Sequence, residues 1–308
     1  MPDEQQDNSN RETRCGFVAL IGAPNVGKST LVNALVGSKV TIVSKKVQTT
    51  RALIRGIVIE DNAQIILVDT PGIFAPKRRL DRAMVSTAWS GAHDADLVCV
   101  LIDARAGIDD EADAILSKLE AVNHPKILVL NKIDLVPREK LLALAQKANE
   151  RLTFTQTFMV SALSGDGVDD LRRTLAKDVP EGPFHYPEDQ MSDAPMRQLA
   201  AEITREKIYR HLHQELPYQS TVETDSWQDR KDGSVRIEQT IFVERDSQRK
   251  IVLGKGGATI KSIGADSRKE LAEIVGQPVH LFLFVKVRDG WGDDPERYRE
   301  MGLEFPKE

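Results

Sequence analysis

GAPNVGKST, Gly22 to Thr30, lies between the apolar run FVALI, Phe17 to Ile21, and the helix-patterned TLVNALVG. It matches G-x-x-x-x-G-K-[ST], a pattern that binds phosphate when it joins a strand to a helix. Glycines there let the backbone wrap close to an anion, so that its N–H groups and the helix N-terminus point at phosphate. Lys28 would add charge at the β and γ phosphates of a nucleotide, and Ser29 an oxygen for Mg²⁺. The candidate contacts are therefore Gly22, Ala23, Pro24, Asn25, Val26, Gly27, Lys28, Ser29 and Thr30. An ordinary glycine turn is the competing reading, and only companions elsewhere in the chain can exclude it.

Those companions follow in order. Asp69-Thr70-Pro71-Gly72 closes the apolar run IILV; the carboxylate can hold Mg²⁺ through water, and the Gly72 N–H can reach a γ-phosphate. Asn131-Lys132-Ile133-Asp134 closes KILVL. A carboxylate at Asp134 accepts from the two adjacent N–H donors that guanine presents and adenine lacks, which selects GTP over ATP. Asn131 either addresses the guanine edge or pins the phosphate loop, and the Lys132 stem covers a ring face. Ser161-Ala162, closing FMV, places a backbone N–H near the guanine carbonyl oxygen. A hydroxyl that senses Mg²⁺ and the γ-phosphate must lie on the stretch before Asp69. VQTTR, Val47 to Arg51, offers Thr49 and Thr50, of which Thr50 is favoured. Lys28, Thr50, Asp69 and Gly72 are the catalytic candidates; Ser29, Thr50 and Asp69 are the metal candidates.

One position changes the expected rate. Where Ras-like GTPases carry a water-orienting Gln after the D-x-x-G glycine, this chain has Ile73, which neither donates nor accepts. Hydrolysis is expected to be slow without help. Asn25 could supply that help by binding K⁺, or it could simply form a turn.

Around these motifs, short apolar runs alternate with helical patterns from Phe17 to about Val179, which predicts a mainly parallel sheet with helices on both faces. The Pro-rich PEGPFHYPEDQMSDAP, Pro180 to Pro195, reads as a linker. Boundaries are expected at 1–14 for a polar disordered tail, 15–180 for the nucleotide domain, 181–195 for the linker and 196–308 for a second α/β domain with a C-terminal tail. The second domain reads as helix, strand, strand, helix, helix, strand. Its first helix should run from Met196 until Pro217 ends it.

Between its two later helices lies LGKGGATIKS, Leu253 to Ser262. Gly254-Lys255-Gly256-Gly257 lacks the Lys-Ser pair and the preceding strand of a nucleotide loop, and instead suits the G-x-x-G loop of KH domains, which closes on single-stranded RNA. From Arg249 to Lys269 the chain carries six basic residues against the single acid Asp266, with Lys250 and Lys261 flanking the loop. The net charge of -5 makes that cluster local rather than general. In the last strand the aliphatic face should pack on the helices; Phe282 and Phe284 read as a domain contact or core more readily than as a base-stacking surface. His211 and His213 read as solvated helix, and Trp291 with the acidic stretch after it as a packed tail. Two cysteines, Cys15 before a strand and Cys99 within one, argue against a disulfide framework and for a reducing cytoplasm. No run approaches the roughly 18 apolar residues of a spanning helix.

GAPNVGKST, QTTR, DTPG, NKID and SAL, followed by YPEDQ, AAEITREKI, ELPY and GKGGATIK, resemble the bacterial Era family of GTPases over nearly the whole chain. The resemblance implies a P-loop GTPase domain followed by a type II KH domain, with GTP, GDP and Mg²⁺ as ligands and K⁺ as a further candidate. It also implies a monomer that binds the 3′ end of 16S rRNA, not DNA, in processing that RNA and assembling the 30S subunit, with links to the cell cycle. Some members of the family associate peripherally with the inner membrane from the cytoplasm. Two rivals stand beside it: an RNA-binding adaptor with nucleotide as a structural ligand, and a GTPase of tRNA modification, against which the ending EFPKE, lacking a Cys, speaks.

Overall fold

The apolar runs pair into a six-stranded sheet in a computed structural model that describes residues 12–44, 46, 49–212, 216–290 and 294–306. Strands β1 (Arg14–Ile21), β2 (Ile54–Glu60), β3 (Ala63–Asp69), β4 (Leu97–Asp103), β5 (Lys126–Asn131) and β6 (Gln156–Val160) lie in the order β2-β3-β1-β4-β5-β6. Only β2 runs antiparallel to its neighbour. β3 and β4 are buried along their whole length, which is why they read as unbroken Val, Ile and Leu rather than as an alternation.

Helices α1 (Lys28–Val36), α2 (Arg79–Asp94), α3 (Asp110–Leu119), α4 (Arg138–Arg151) and α5 (Val168–Asp178) complete this domain. From β1 the chain first moves through α1 toward one edge, then returns through α2, α3 and α4 toward the other. Right-handed crossovers in opposite directions put their helices on opposite faces. The strand order reverses at β1, and ligands bind in the crevice at the carboxyl ends of strands flanking such a point. Gly22, Asp69 and Asp103 all sit there.

The second domain comprises α6 (Met196–His211), β7 (Ser220–Asp229), β8 (Val235–Val243), α7 (Asp246–Leu253), α8 (Ala258–Val275) and β9 (Val279–Val287), with sheet order β7-β8-β9. β8 is antiparallel to β7 and parallel to β9. Val235, Ile237, Ile241 and Val243 of β8 are fully buried under the helices, as period-two alternation demands.

Several expectations are corrected. α6 stops at His211 rather than at Pro217, which lies in a 3-10 turn, Leu216–Gln219. Residues 181–195, read as a linker, lie as a strap along the first sheet. The Gln64 side chain accepts from the His185 and Tyr186 amides at 2.8 and 3.0 Å and donates to the Tyr186 carbonyl at 2.8 Å. Arg55 adds an ion pair with Asp193 at 2.7 Å. Cys15 sits within β1, not before it. Phe282 and Phe284 are neither core nor domain contact but exposed. His211 holds Asp266 at 2.7 Å. Residues 1–11, Val47, Gln48, His213 and Trp291 lie outside the described residues.

The two domains share core. Ile42, on the stretch between α1 and β2, is fully buried among Leu199, Ile203, Ile237 and Leu271 of the second domain. At the other end, α9 (Pro295–Glu300) and the residues after it return to the first domain, where Tyr298 and Leu303 are buried against Ala83 and Met84 of α2. No helix among the described residues is long and apolar enough to cross a membrane.

Candidate functional site

The phosphate loop turns because Asn25 and Gly27 take left-handed backbone, at φ 62° and 99°. A β-carbon on Gly27 would lie 2.3 Å from Asn131 Nδ2. Asn131 accounts for this closeness, since Nδ2 donates to the Val26 carbonyl at 2.8 Å while Oδ1 accepts from the Lys132 and Ala162 amides at 2.8 and 3.0 Å. Of the two roles open to Asn131, the geometry gives the pinning of the loop. The Ala162 amide, read as a donor to guanine, is bonded here to Asn131. Ser161 Oγ accepts from the Ser164 amide at 3.3 Å.

Lys28 is buried and donates to the Gly22 and Ala23 carbonyls, both at 3.0 Å. Burial pushes its pKa down to about 8, against the opposing pull of the Asp69 carboxylate. Thr30 lies in the first turn of α1. Gly72 packs so closely on the loop that a β-carbon there would come within 2.8 Å of Pro24 Cα, and the Ile73 amide donates to the Gly22 carbonyl at 3.2 Å. Thr70 turns away from this crevice, donating to the Leu20 carbonyl at 2.6 Å, and Pro71 is buried beside it.

Three oxygens converge between loop and strand end. Ser29 Oγ donates to Asp69 Oδ2 at 2.7 Å, and Thr50 Oγ1 lies 2.9 Å from Ser29 Oγ and 3.4 Å from Asp69 Oδ2. Asp69 Oδ1 is buried with no hydrogen-bond partner among the described residues, an arrangement that normally costs about 1–3 kcal/mol. Two hydroxyls and a carboxylate with an unsatisfied oxygen form a hard-donor set, which fits Mg²⁺. Burial raises the Asp69 pKa, while the Ser29 hydrogen bond and the Lys28 charge oppose the rise. Thr49 is not part of this set; its hydroxyl is turned to Ser44 Oγ and the Lys46 carbonyl at 3.0 and 2.8 Å.

At the base end, Lys132 also takes left-handed backbone, φ 65°, and its Nζ bridges the Asn25 carbonyl at 2.5 Å to Asp103 Oδ2 at 2.7 Å. Burial opposes ionisation of Asp103, yet Lys132 and Arg105 outweigh it and hold the carboxyl below its ordinary range. Asp134 follows in a 3-10 turn, exposed, with no bond among the described residues, and so can accept from a ligand.

Sequence reading missed five side chains here. Thr41 donates to Asp69 Oδ2 at 2.9 Å. Arg51, itself buried, reaches the Ser220 and Tyr218 carbonyls at 2.9 and 3.0 Å. Arg205 donates to the Thr49 carbonyl at 2.6 Å, and Glu206 accepts from the Val43 amide at 2.9 Å and pairs with Lys39 at 2.9 Å. Asp103 had a signal, since it ends LVCVLID as Asp69 ends IILVD; the others depend on contacts more than 150 residues apart for Arg51, Arg205 and Glu206, which no local pattern records.

The second candidate surface is the Gly254–Gly257 turn between α7 and α8. Its backbone is glycine-dependent: Gly254 at φ 73°, ψ 173°, Gly256 at 60°, 22° and Gly257 at 79°, 13°. Lys250, Lys255 and Lys261 stand exposed around it.

With this geometry in view, comparison with known proteins is direct. A family model for a 50S ribosome-binding GTPase matches residues 17–132, and one for the KH domain matches residues 215–292. GTPase Era of Afipia carboxidovorans is 84% identical over the full length of both chains, and GTPase Era of Brucella suis 68% identical over 96% of this chain and 95% of its own. Among solved structures, Era in complex with MgGDPNP and nucleotides 1506–1542 of 16S ribosomal RNA superposes with a TM-score of 0.88 at 38% identity, covering 94% of this chain and 99% of that one. Fold, motif geometry and full-length identity agree: the chain belongs to the Era family of GTPases.

Proposed function

We propose that this protein is a GTP-driven switch on the 3′ end of 16S rRNA during assembly of the 30S subunit. The observation that supports it is the shared stretch between α1 and β2. Thr41 and Thr50 touch Asp69 in the nucleotide crevice, while Ile42 is buried in the KH core and Arg51 is fixed to KH carbonyls. A rearrangement at Asp69 therefore reaches the RNA-binding domain through covalently adjacent residues.

In the proposed site Lys28 and the loop amides hold the β and γ phosphates of GTP, Asp134 reads guanine, and Asn131 with Lys132 braces the loop. Ser29, Thr50 and Asp69 would hold Mg²⁺, which when bound neutralises charge between the β and γ phosphates. Gly72 offers its amide to the γ-phosphate. Ile73 supplies no proton acceptor for the attacking water, so turnover should be slow. Asn25 takes the left-handed backbone of a turn former, and in this reading it also stands as the candidate residue for holding K⁺.

Thr50→Ala is expected to raise the Mg²⁺ concentration needed for half-maximal turnover, and Thr49→Ala to leave it unchanged. Equal shifts in the two titrations would remove Thr50 from the metal set.

The lowered Lys28 pKa has a pH consequence. Phosphate favours the ammonium, so binding raises the pKa again and takes up a proton whenever the free side chain is neutral. GTP affinity should stay level up to about pH 7.5 and weaken by up to about tenfold per pH unit above about 8. In Lys28→Met affinity should be lower but flat across the same range; a parallel fall in both proteins would assign the effect to another group.

The switch itself is tested by RNA affinity with GDP against that with a non-hydrolysable GTP analogue. Couplings of this kind are about 5- to 150-fold. Ile42→Ala, which empties a buried position worth about 2–5 kcal/mol, should bring the ratio toward one. A ratio of one in the parent protein sinks the switch, and absence of GTP turnover that Lys28→Ala abolishes would favour the adaptor instead.

A further inference from the structure

Neither the phosphate crevice nor the glycine loop uses the outer face of the KH sheet. Among the described residues β9 is an edge strand, paired only with β8. Its alternation sends Leu281, Leu283 and Val285 to the helices, and leaves Phe282 and Phe284 41% and 49% exposed on the other side. Isolated exposed phenylalanines are unremarkable. These two are adjacent on one face, roughly 6.6 Å apart by strand rise, about twice the 3.4 Å between stacked bases.

Cationic side chains border the rings. Arg236 of β8 lies over the Phe282 ring at 4.4 Å. Lys286 and Arg288 extend exposed beyond Phe284. Charges on this face are mostly paired: Glu238 with Arg236 at 2.5 Å, Glu223 with Arg297, and Arg288 with Asp294 at 3.4 Å, while Asp225 accepts from the Thr240 hydroxyl at 2.7 Å. The inner side of β9 is packed under α8, where a β-carbon on Gly264 would be 3.4 Å from Leu283 Cδ1. α7, which leads into the glycine loop, also touches β9 and leaves Ile251 56% exposed. A strand leaving the loop thus has one sheet edge to cross before it meets the two rings.

We propose that this face is a second RNA contact, a stacking platform on which two bases of the strand held at the glycine loop lie against Phe282 and Phe284, with Lys286 and Arg288 facing the phosphates. The proposal rests on the reading of the KH domain as RNA-binding. Aromatic rings suit it because every base has a π-face, so stacking adds affinity without requiring one sequence. Exposed Lys286, with Arg288 beside it, favours a polyanion over an apolar protein helix.

Full-length protein is titrated with fluorescently labelled 16S rRNA fragment 1506–1542 and with six-nucleotide pieces tiled across it. Alanine substitution of a stacking ring costs about 5- to 150-fold per base. Phe282→Ala/Phe284→Ala should weaken the whole fragment at least about tenfold, leave the best six-nucleotide piece unchanged, and keep GTP affinity at the parent value. The Phe282→Tyr/Phe284→Tyr variant should restore the loss. Undiminished affinity of the alanine variant for the fragment overturns the platform, as does an equal loss for fragment and six-mer, or failure of tyrosine to restore. No binding of any RNA by the parent overturns instead the KH reading on which the platform rests.

Discussion

Asp134→Asn should lower GTP affinity by about 100- to 10,000-fold and create affinity for xanthosine triphosphate. A carboxylate accepts two charge-assisted hydrogen bonds from the guanine N1–H and amino group, each worth about 1.5–3 kcal/mol. Asparagine offers one oxygen and one NH₂, so one of the two guanine donors then faces another donor. Xanthine carries a carbonyl in place of the amino group, and the asparagine NH₂ can donate to it. A site built around a hydrogen-bond pattern rejects the wrong pattern by several orders of magnitude. Asp134 is exposed and bonds to nothing among the described residues, so the exchange should leave the fold within about 0.5 kcal/mol of the parent. The supporting bonds of Asn131 and the left-handed turn at Lys132 remain in place. Competition against a fluorescent guanine nucleotide, with GTP and with xanthosine triphosphate, decides it. Retention of GTP affinity within about threefold, or no gain for xanthosine, would place the base elsewhere.

The contrast between what was legible and what was not has a physical origin. β3 and β4 are buried on both faces and announce themselves as apolar runs, and the phosphate loop needs Gly, Lys and Ser at fixed spacing because backbone geometry fixes where each group points. Such features are local. Ile42 in the KH core and Gln64 binding the 181–195 strap depend on pairings 121 residues or more apart for Gln64, and a single apolar or amide residue carries no signal of its distant neighbour. The packing of the 181–195 linker was hidden for a second reason: prolines and missing periodicity describe a segment without a helix or strand of its own, whether it hangs free or lies as a strap. Sequence could favour Thr50 over Thr49 but not decide between them, because both are hydroxyls and only the backbone decides which one faces Asp69. The exposure of Phe282 and Phe284 shows the converse: alternation placed them on one face correctly, but what covers that face is a tertiary fact.

Replacing Gly256 and Gly257 together with Asp should abolish binding of the 16S rRNA fragment, by at least about 100-fold, while GTP affinity stays at the parent value. The structure separates this result from simple misfolding. Gly256 and Gly257 both have left-handed backbone, and a β-carbon on either meets nothing within 4 Å. Asp is among the few residues that tolerate that region, so the conformational cost is about 1 kcal/mol per site. Two carboxylates would then stand where a phosphate backbone must approach the loop amides, between Lys250, Lys255 and Lys261, and they cancel much of that local charge. Gly254 behaves differently. Its φ 73°, ψ 173° is open essentially to glycine alone, and a β-carbon there would lie 2.2 Å from Thr259 Oγ1, so Gly254→Ala should lower the melting temperature, which the Asp pair does only slightly. The GTP crevice is built from the other sheet, so nothing in the loop chemistry can reach it except through α6, α8 and Ile42. Titration of both ligands on the same preparation is decisive: RNA binding that survives the two carboxylates removes the loop from the interface, and joint loss of RNA and GTP would mean that the substitution acts through the shared core rather than at the loop.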